Sequence, residues 1–113
     1  MNFTEYQKQA RRTQNKALPL WAKKEHALYL LGAEVGEVLG MHQKLHQGHE
    51  MDEHKLMLEI GDILWGIAEL CDVYDFEMDE VAAANIDKLW KRFPSGFDSD
   101  RSINREEIQD GQS

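Results

Sequence analysis

The chain is poor in the residues that cross-link or stiffen small secreted proteins. It has one cysteine, Cys71, and two prolines among 113 residues. Because a single cysteine cannot form an internal disulfide, a disulfide-stabilised secreted domain is excluded and a reducing intracellular compartment is favoured. No signal-peptide pattern opens the sequence, and no apolar run is long enough to cross a bilayer. We therefore predict a cytoplasmic protein that has no membrane partner.

Positive charge is also scarce. The chain has 13 Lys and Arg against 21 Asp and Glu, which gives a formal net charge of -8. Such a protein repels polyanions at long range, so DNA and RNA are not expected as partners. A mean hydropathy of -0.62, with 30% charged residues, indicates amphipathic helices rather than buried strands. At this length we expect one domain.

Two short acidic segments repeat one pattern. Residues 34–38 read EVGEV and residues 59–63 read EIGDI. Acids three residues apart share a helix face, but in so acidic a chain about four such pairs arise by chance. The glycine inside each segment is the distinguishing feature, because glycine costs a helix interior roughly 1 kcal/mol relative to alanine. Gly32, Gly36 and Gly40 also form a row that would let another helix approach closely.

The hydrophobic periodicity predicts helices and no strands. Thr4 and Gln7 suggest a capping box for the first helix, and Gly48 and Pro94 mark the ends of the second and the fourth. The predicted helices cover about 4–16, 21–47, 52–74 and 78–92. Short links favour antiparallel neighbours, so we predict an all-α antiparallel bundle of about four helices. Because so short a chain buries little surface alone, we expect oligomerisation to complete its core.

Antiparallel pairing would bring the two acidic segments together. Glu37 and Glu59 lie about eleven positions on either side of Gly48, and equal helical rises would place them at similar height. Four convergent carboxylates, Glu34, Glu37, Glu59 and Asp62, would repel one another unless a cation lay between them. An oxygen-only ligand set suits Mg²⁺ and the phosphates that it binds. The competing interpretation is that both segments are solvated acidic faces.

Polar and aromatic side chains elsewhere supply further candidates. Asn85, Lys88 and Arg92 share a face of the fourth helix, where they would bind phosphates or simply offset the helix dipole. Four histidines, at positions 42, 46, 49 and 54, are expected to decorate a helix end and turn rather than to bind zinc. Four aromatic residues are weak candidates for stacking on a base, since such residues more often pack in a core: Trp21, Tyr29, Trp65 and Trp90.

These motifs together resemble the MazG-like, all-α nucleoside triphosphate pyrophosphohydrolases. The acidic pairs match the signature of that family, and residues 85–97, NIDKLWKRFPSGF, resemble the segment that follows in its small stand-alone members. Tyr6-Gln7 and Arg12-Thr13 extend the likeness over most of residues 1–97, leaving residues 98–113 as a polar tail. Phe93 stands where many relatives have tyrosine, and the aromatic residues that hold the base in some relatives have no match here.

The resemblance implies Mg²⁺-dependent cleavage of a nucleoside triphosphate to a monophosphate and pyrophosphate, with Mn²⁺ as a substitute ion. It further implies a homo-oligomer, either a dimer or a tetramer. The roles carried over are metal ligands, one of which would also act as general base, at Glu34, Glu37, Glu59 and Asp62, and phosphate contacts at Asn85, Lys88 and Arg92. The base preference stays open. The net charge of -8 motivates a different hypothesis, a non-catalytic acidic helical module that binds a basic protein.

Overall fold

The computed structural model describes residues 1–103 and is all-helical, as predicted. The helices are α1 (Phe3–Arg11), α2 (Leu20–His46), α3 (Glu53–Val73), α4 (Met78–Arg92) and the short α5 (Ser99–Ile103). The first four correspond to the four predicted helices, and α5 lies in the predicted tail. Residues 104–113, the rest of that tail, are outside the described residues. No helix that is described is long and apolar enough to cross a membrane.

The first helix differs most from its prediction. Asn2, not Thr4, caps α1, since its side chain accepts the backbone N–H of Glu5 at 2.8 Å. The helix ends at Arg11, five residues early, and the Thr13 hydroxyl then donates to the carbonyl of Ala10 at 2.7 Å. The predicted capping box is therefore wrong. Its second member, Gln7, is buried and binds elsewhere.

Capping residues explain the turn between α2 and α3. Gly48 follows α2 with φ of 98°, a left-handed conformation that glycine adopts without a steric penalty. The His49 amide then donates to the carbonyl of Lys44 at 3.0 Å. Asp52 caps α3 by accepting the backbone N–H groups of residues 54 and 55. The predicted stop at Gly48 is thus confirmed, and the predicted start of the third helix near residue 52 agrees with the cap at Asp52.

Residues 1–78 form one compact unit, in which α3 packs against both α2 and α1. Its core is small and includes the buried thiol of Cys71. The buried members are Ala10, Ala68, Cys71 and Met78, with Tyr6, Leu64 and Trp65 packed around them. So little buried apolar surface is consistent with the small contribution expected from a hairpin and one short helix.

The two long helices approach most closely at Gly66. A Cβ added there would lie 3.0 Å from the Leu31 side chain and 3.2 Å from that of Leu30, closer than ordinary contact. Among the described residues, by contrast, nothing lies within 4 Å of a Cβ added at Gly32, Gly36, Gly40 or Gly61. The glycines of the acidic segments are therefore not required by contacts inside the described chain.

A second unit begins at Asp79 and contains most of α4. On its surface Lys91 and Asp87 form an ion pair at 3.2 Å. After α4 the chain turns at Gly96, which has φ of 91°, and the rings of Phe93 and Phe97 lie 5.7 Å apart. These rings form part of an open apolar groove, which is also lined by Ile86, Leu89 and Trp90.

Within the first unit, polar side chains tie α1 to the end of α3. The Gln7 amide donates to Asp72 at 2.8 Å and to the carbonyl of Phe76 at 2.9 Å, and its oxygen accepts the amide of Met78 at 2.7 Å. Asp72 also accepts from Arg11 at 2.8 Å and from Gln14 at 2.6 Å. Every polar atom of the buried Gln7 side chain is therefore satisfied.

The Asp72 network should make stability depend on pH. Burial disfavours the Asp72 carboxylate, but hydrogen bonds from Arg11, Gln14 and Gln7 outweigh it and lower the pKa of Asp72. Because the folded pKa is below the unfolded one, the stabilisation is present above about pH 4 and disappears as the pH falls through the folded pKa. We expect Asp72→Asn to lower the free energy of unfolding by about 1–3 kcal/mol at pH 7, as measured by urea unfolding. In strong acid the variant and the wild type should have similar free energies of unfolding.

Asp75→Asn is the matched control. Asp75 has φ of 58°, a left-handed conformation that asparagine also tolerates. The control should change stability little at either pH. Equal losses for Asp72→Asn at pH 7 and pH 2 would contradict the assigned role of the carboxylate.

Candidate metal centre

Three of the four predicted carboxylates meet between α2 and α3. Glu34 lies on α2, and Glu59 and Asp62 lie one turn apart on α3. One carboxylate oxygen from each lies within 4.8 Å of the other two. This is the only group of three or more potential metal-ligating side chains found in residues 1–103. Oxygen atoms at such separations can surround one hard cation.

The register of the hairpin produces this convergence. Contacts along the α2–α3 seam run in antiparallel order: His26 meets Glu69, Leu31 meets Gly66, and Glu34 meets Asp62. Steps of three to five residues along one helix are matched by steps of three or four along the other, which keeps the contacts on facing sides. The predicted pairing of the acidic segments at one height therefore agrees with the structure.

The pKa of Glu34 reflects repulsion among these carboxylates in the described part of the chain. Burial first, then a hydrogen bond with Glu59, and then the charges of Asp62, Glu59 and Glu37 raise the pKa of the Glu34 carboxyl. A divalent cation between these carboxylates would remove the repulsion.

Glu37 differs from the other three carboxylates in position. It lies one turn after Glu34 on α2 and is exposed, and its oxygens are not part of the group that spans 4.8 Å. Its charge nevertheless acts on Glu34. The structure therefore separates the four predicted carboxylates into three that converge and one beside them.

Tyr6, on α1, is influenced by the charge of one converging carboxylate, an interaction that sequence reasoning did not predict. Burial, followed by the charge of Asp62, raises the pKa of the Tyr6 phenol. A phenol that keeps its proton can donate a hydrogen bond to an anion. Tyr6 belongs to the motif Tyr6-Gln7, so the resemblance pointed at this residue without giving it a role.

The remaining candidates do not form a second centre in the described residues. Asn85 and Lys88 are exposed on α4 and Arg92 is buried, all three on one helix face within the second unit. The histidines at 42, 46, 49 and 54 are exposed and belong to no metal-ligating group in residues 1–103.

The aromatic candidates separate into two classes. Trp21, Tyr29 and Trp90 are largely exposed. Trp65 is half-buried beside the core, and its indole N–H donates to the Thr13 hydroxyl at 2.7 Å. The indole of Trp65 is therefore held in place by the segment that follows α1.

Comparison with known proteins assigns these helices to a family. The family model described as the MazG nucleotide pyrophosphohydrolase domain matches residues 23–97, more than half of the chain. The match includes all four predicted carboxylates and the segment from Asn85 to Arg92, and it leaves α1 outside. No curated protein and no solved structure matches the chain.

The repulsion at Glu34 leads to a test of metal binding. Because the pKa of Glu34 is raised in the folded state, its charge destabilises the fold at neutral pH without a cation. We expect Glu34→Gln to melt at a higher temperature than the wild type in EDTA. With Mg²⁺ the wild type should melt at the higher temperature. Mg²⁺ at 100 times its Kd would add about 2.7 kcal/mol to the free energy of unfolding of the wild type but not of the variant.

Glu25→Gln serves as the control, because Glu25 is an exposed acid on the same helix. It should respond to EDTA and Mg²⁺ as the wild type does. A wild type whose melting temperature is the same in EDTA and in millimolar Mg²⁺ would contradict the metal centre.

Proposed function

The chain belongs to the MazG nucleotide pyrophosphohydrolase family, and on that premise we propose that it is a Mg²⁺-dependent nucleoside triphosphate pyrophosphohydrolase. It would cleave a nucleotide between its α- and β-phosphates, releasing pyrophosphate and a nucleoside monophosphate. The observation that carries this proposal is the convergence of Glu34, Glu59 and Asp62 inside the matched region. A house-cleaning or pool-controlling role follows from that reaction.

The donor set fits the proposed ion. Glu34, Glu59 and Asp62 offer only carboxylate oxygens, which Mg²⁺ and Mn²⁺ prefer over softer ligands. The raised pKa of Glu34 indicates a site that gains by binding positive charge. When bound, the ion would neutralise phosphate charge and make water easier to deprotonate.

Glu37 is the carboxylate left to accept a proton. It stands outside the converging group, yet it is near enough to affect Glu34. We assign it the role of general base. In that step the oxygen of a water molecule bonds to one of the two phosphorus atoms of the α–β bridge, and one proton of the water passes to Glu37. The bond from that phosphorus to the bridging oxygen breaks, and the bridging oxygen leaves with its electron pair on the other phosphate.

Phosphate binding is assigned to the polar face of α4. Asn85 supplies an amide, and Lys88 and Arg92 supply two of the 13 cationic side chains in a chain of net charge -8. Amide and cationic donors at three- and four-residue steps form one face that complements phosphate oxygens. Support for this role comes from their chemistry and from their inclusion in the family match.

The activity test uses pure protein, Mg²⁺ and a panel of nucleoside triphosphates. Pyrophosphate and the monophosphate should appear together, as measured by chromatography. Removing a residue that only hydrogen-bonds to a metal ligand typically lowers activity about 10- to 100-fold. Because Asp62 is itself a proposed ligand, we expect Asp62→Asn to lower activity by roughly 100-fold or more. Glu25→Gln is again the control and should keep its activity. A wild type that releases no pyrophosphate from any nucleotide would favour the non-catalytic acidic module instead.

We also propose that the active form is a homo-oligomer, as a dimer or a tetramer. Four exposed apolar side chains follow one another along α2 at steps of seven, seven and four residues: Trp21, Leu28, Val35 and Leu39. On a helix wheel this stripe lies about 100–140° from Glu34 and borders Leu31, which packs against α3. With so small a buried core, a second copy of the chain is the occupant that the proposal assigns to the stripe.

Sedimentation velocity tests this assembly. The wild type should sediment as a dimer or larger at micromolar concentration, and Leu28→Glu should shift it toward monomer because a charge would be buried in the interface. Leu45→Glu, an exposed leucine on α2 off the stripe, should leave the assembly unchanged. A monomeric wild type would remove the proposal.

A further inference from the structure

A histidine and a buried glutamate form a pair that the proposed metal centre does not use. His26 on α2 and Glu69 on α3 make a contact of 2.6 Å between Nδ1 and Oε1. The Glu69 side chain is 4% exposed, whereas that of His26 is 45% exposed. An ionised carboxylate can only accept, so Nδ1–H donates and the imidazole orientation is fixed. We infer that the exposed part of the ring includes Nε2.

A tryptophan fixes the same ring from a second side. Trp65 stands edge-on to His26, with ring centroids 6.2 Å apart and planes at 87°. The Trp65 indole is itself anchored, since its N–H donates to the Thr13 hydroxyl, which donates in turn to the carbonyl of Ala10. An exposed imidazole held by a buried carboxylate and an anchored indole is pre-organised to meet a ligand.

The pair lies along the same seam as the metal centre. Asp62, Trp65 and Glu69 follow one another on α3 at steps of three and four, so they share a ridge. On α2, His26 precedes Glu34 by eight residues, a rise of about 12 Å. The surface thus runs from carboxylates through an indole to an imidazole. That order complements a molecule with phosphates at one end and a nucleoside at the other.

We propose that His26 is a specificity-determining residue that contacts the nucleoside part of the substrate. The inference rests on the proposed function, because it places the phosphates at Glu34, Glu59 and Asp62. Neutral Nε2 is a hydrogen-bond acceptor, so its partner is a donor: an exocyclic amino group of the base or a sugar hydroxyl. Glu69 is a positioning residue that acts through the imidazole.

Three variants separate contact from structural support. His26→Asn keeps an amide N–H near the place of Nδ1, so it can still bind Glu69, but it lacks Nε2. We expect its KM for the preferred nucleotide to rise about two- to tenfold, as for one neutral hydrogen bond, with kcat and melting temperature little changed. Glu69→Gln should raise KM less. His54→Asn, at an exposed histidine near the other end of the hairpin, is the control.

The nucleotide panel identifies the donor. If His26 contacts an amino group, His26→Asn should raise the KM for ATP or CTP and leave the KM for ITP or UTP unchanged. If His26 contacts the 2′-hydroxyl, the variant should raise the KM for ribonucleotides but not for deoxyribonucleotides. Unchanged KM for every nucleotide in a folded His26→Asn protein would overturn the inference while leaving the pyrophosphohydrolase activity standing.

A measurement on the wild type covers the cases in which the variant does not fold or the wild type does not turn over. In protein labelled with ¹⁵N-histidine, a nucleotide with a methylene group between its α- and β-phosphates should shift the Nε2 resonance of His26 in the presence of Mg²⁺. Pyrophosphate with Mg²⁺ should not shift it, because it lacks the nucleoside. Absence of a shift with every nucleotide, or an equal shift with pyrophosphate, would overturn the assignment.

Discussion

The register of the α2–α3 hairpin holds three carboxylates at one height, where they repel one another. Glu34, Glu59 and Asp62 come within 4.8 Å of one another, an arrangement that would cost free energy without a proton or a cation. The fold holds them there through the register of α2 and α3, which close packing at Gly66 and the contact between His26 and Glu69 define. Structural contacts therefore maintain an electrostatically unfavourable site.

The acidic residues of α3 differ in whether other side chains neutralise their charge. Near the end of α3, the carboxylate of Asp72 accepts hydrogen bonds from α1 and from the segment that follows it. The donors are Gln7, Arg11 and Gln14. The carboxylates at Glu59 and Asp62 receive no such donors among the hydrogen bonds described for residues 1–103. The negative charge of Asp72 is thus paired within the chain, whereas Glu59 and Asp62 are carboxylates that we propose bind a cation. Both carboxylates lie in the region that matches the nucleotide pyrophosphohydrolase family.

Much of the fold was predictable because its signals are local. Gly48 and Asp52 bound the turn between α2 and α3 through backbone and capping chemistry that neighbouring residues determine. The start of α1 was predicted wrongly for the opposite reason. Gln7 looked like a partner for Thr4 three residues away, but its side chain binds Asp72, Phe76 and Met78, which are more than sixty residues distant. No local pattern reports such contacts.

The site shows the same contrast. The two acidic segments could be paired from the sequence because a short turn and a common rise imply their register. His26 and Glu69 were missed, since a histidine eight residues before an acidic motif has no meaning until α3 places a buried carboxylate beside it. The separation of Glu37 from the other three carboxylates also needed coordinates, because all four fit the same helical spacing.

The most direct test of the central claim is a crystal structure with Mn²⁺, in which anomalous scattering locates the ion without reference to the protein. We expect an anomalous peak at bonding distance from oxygens of Glu34, Glu59 and Asp62, all three in the same copy of the chain. Density showing these side chains turned to solvent, with no peak between them at saturating Mn²⁺, would contradict it.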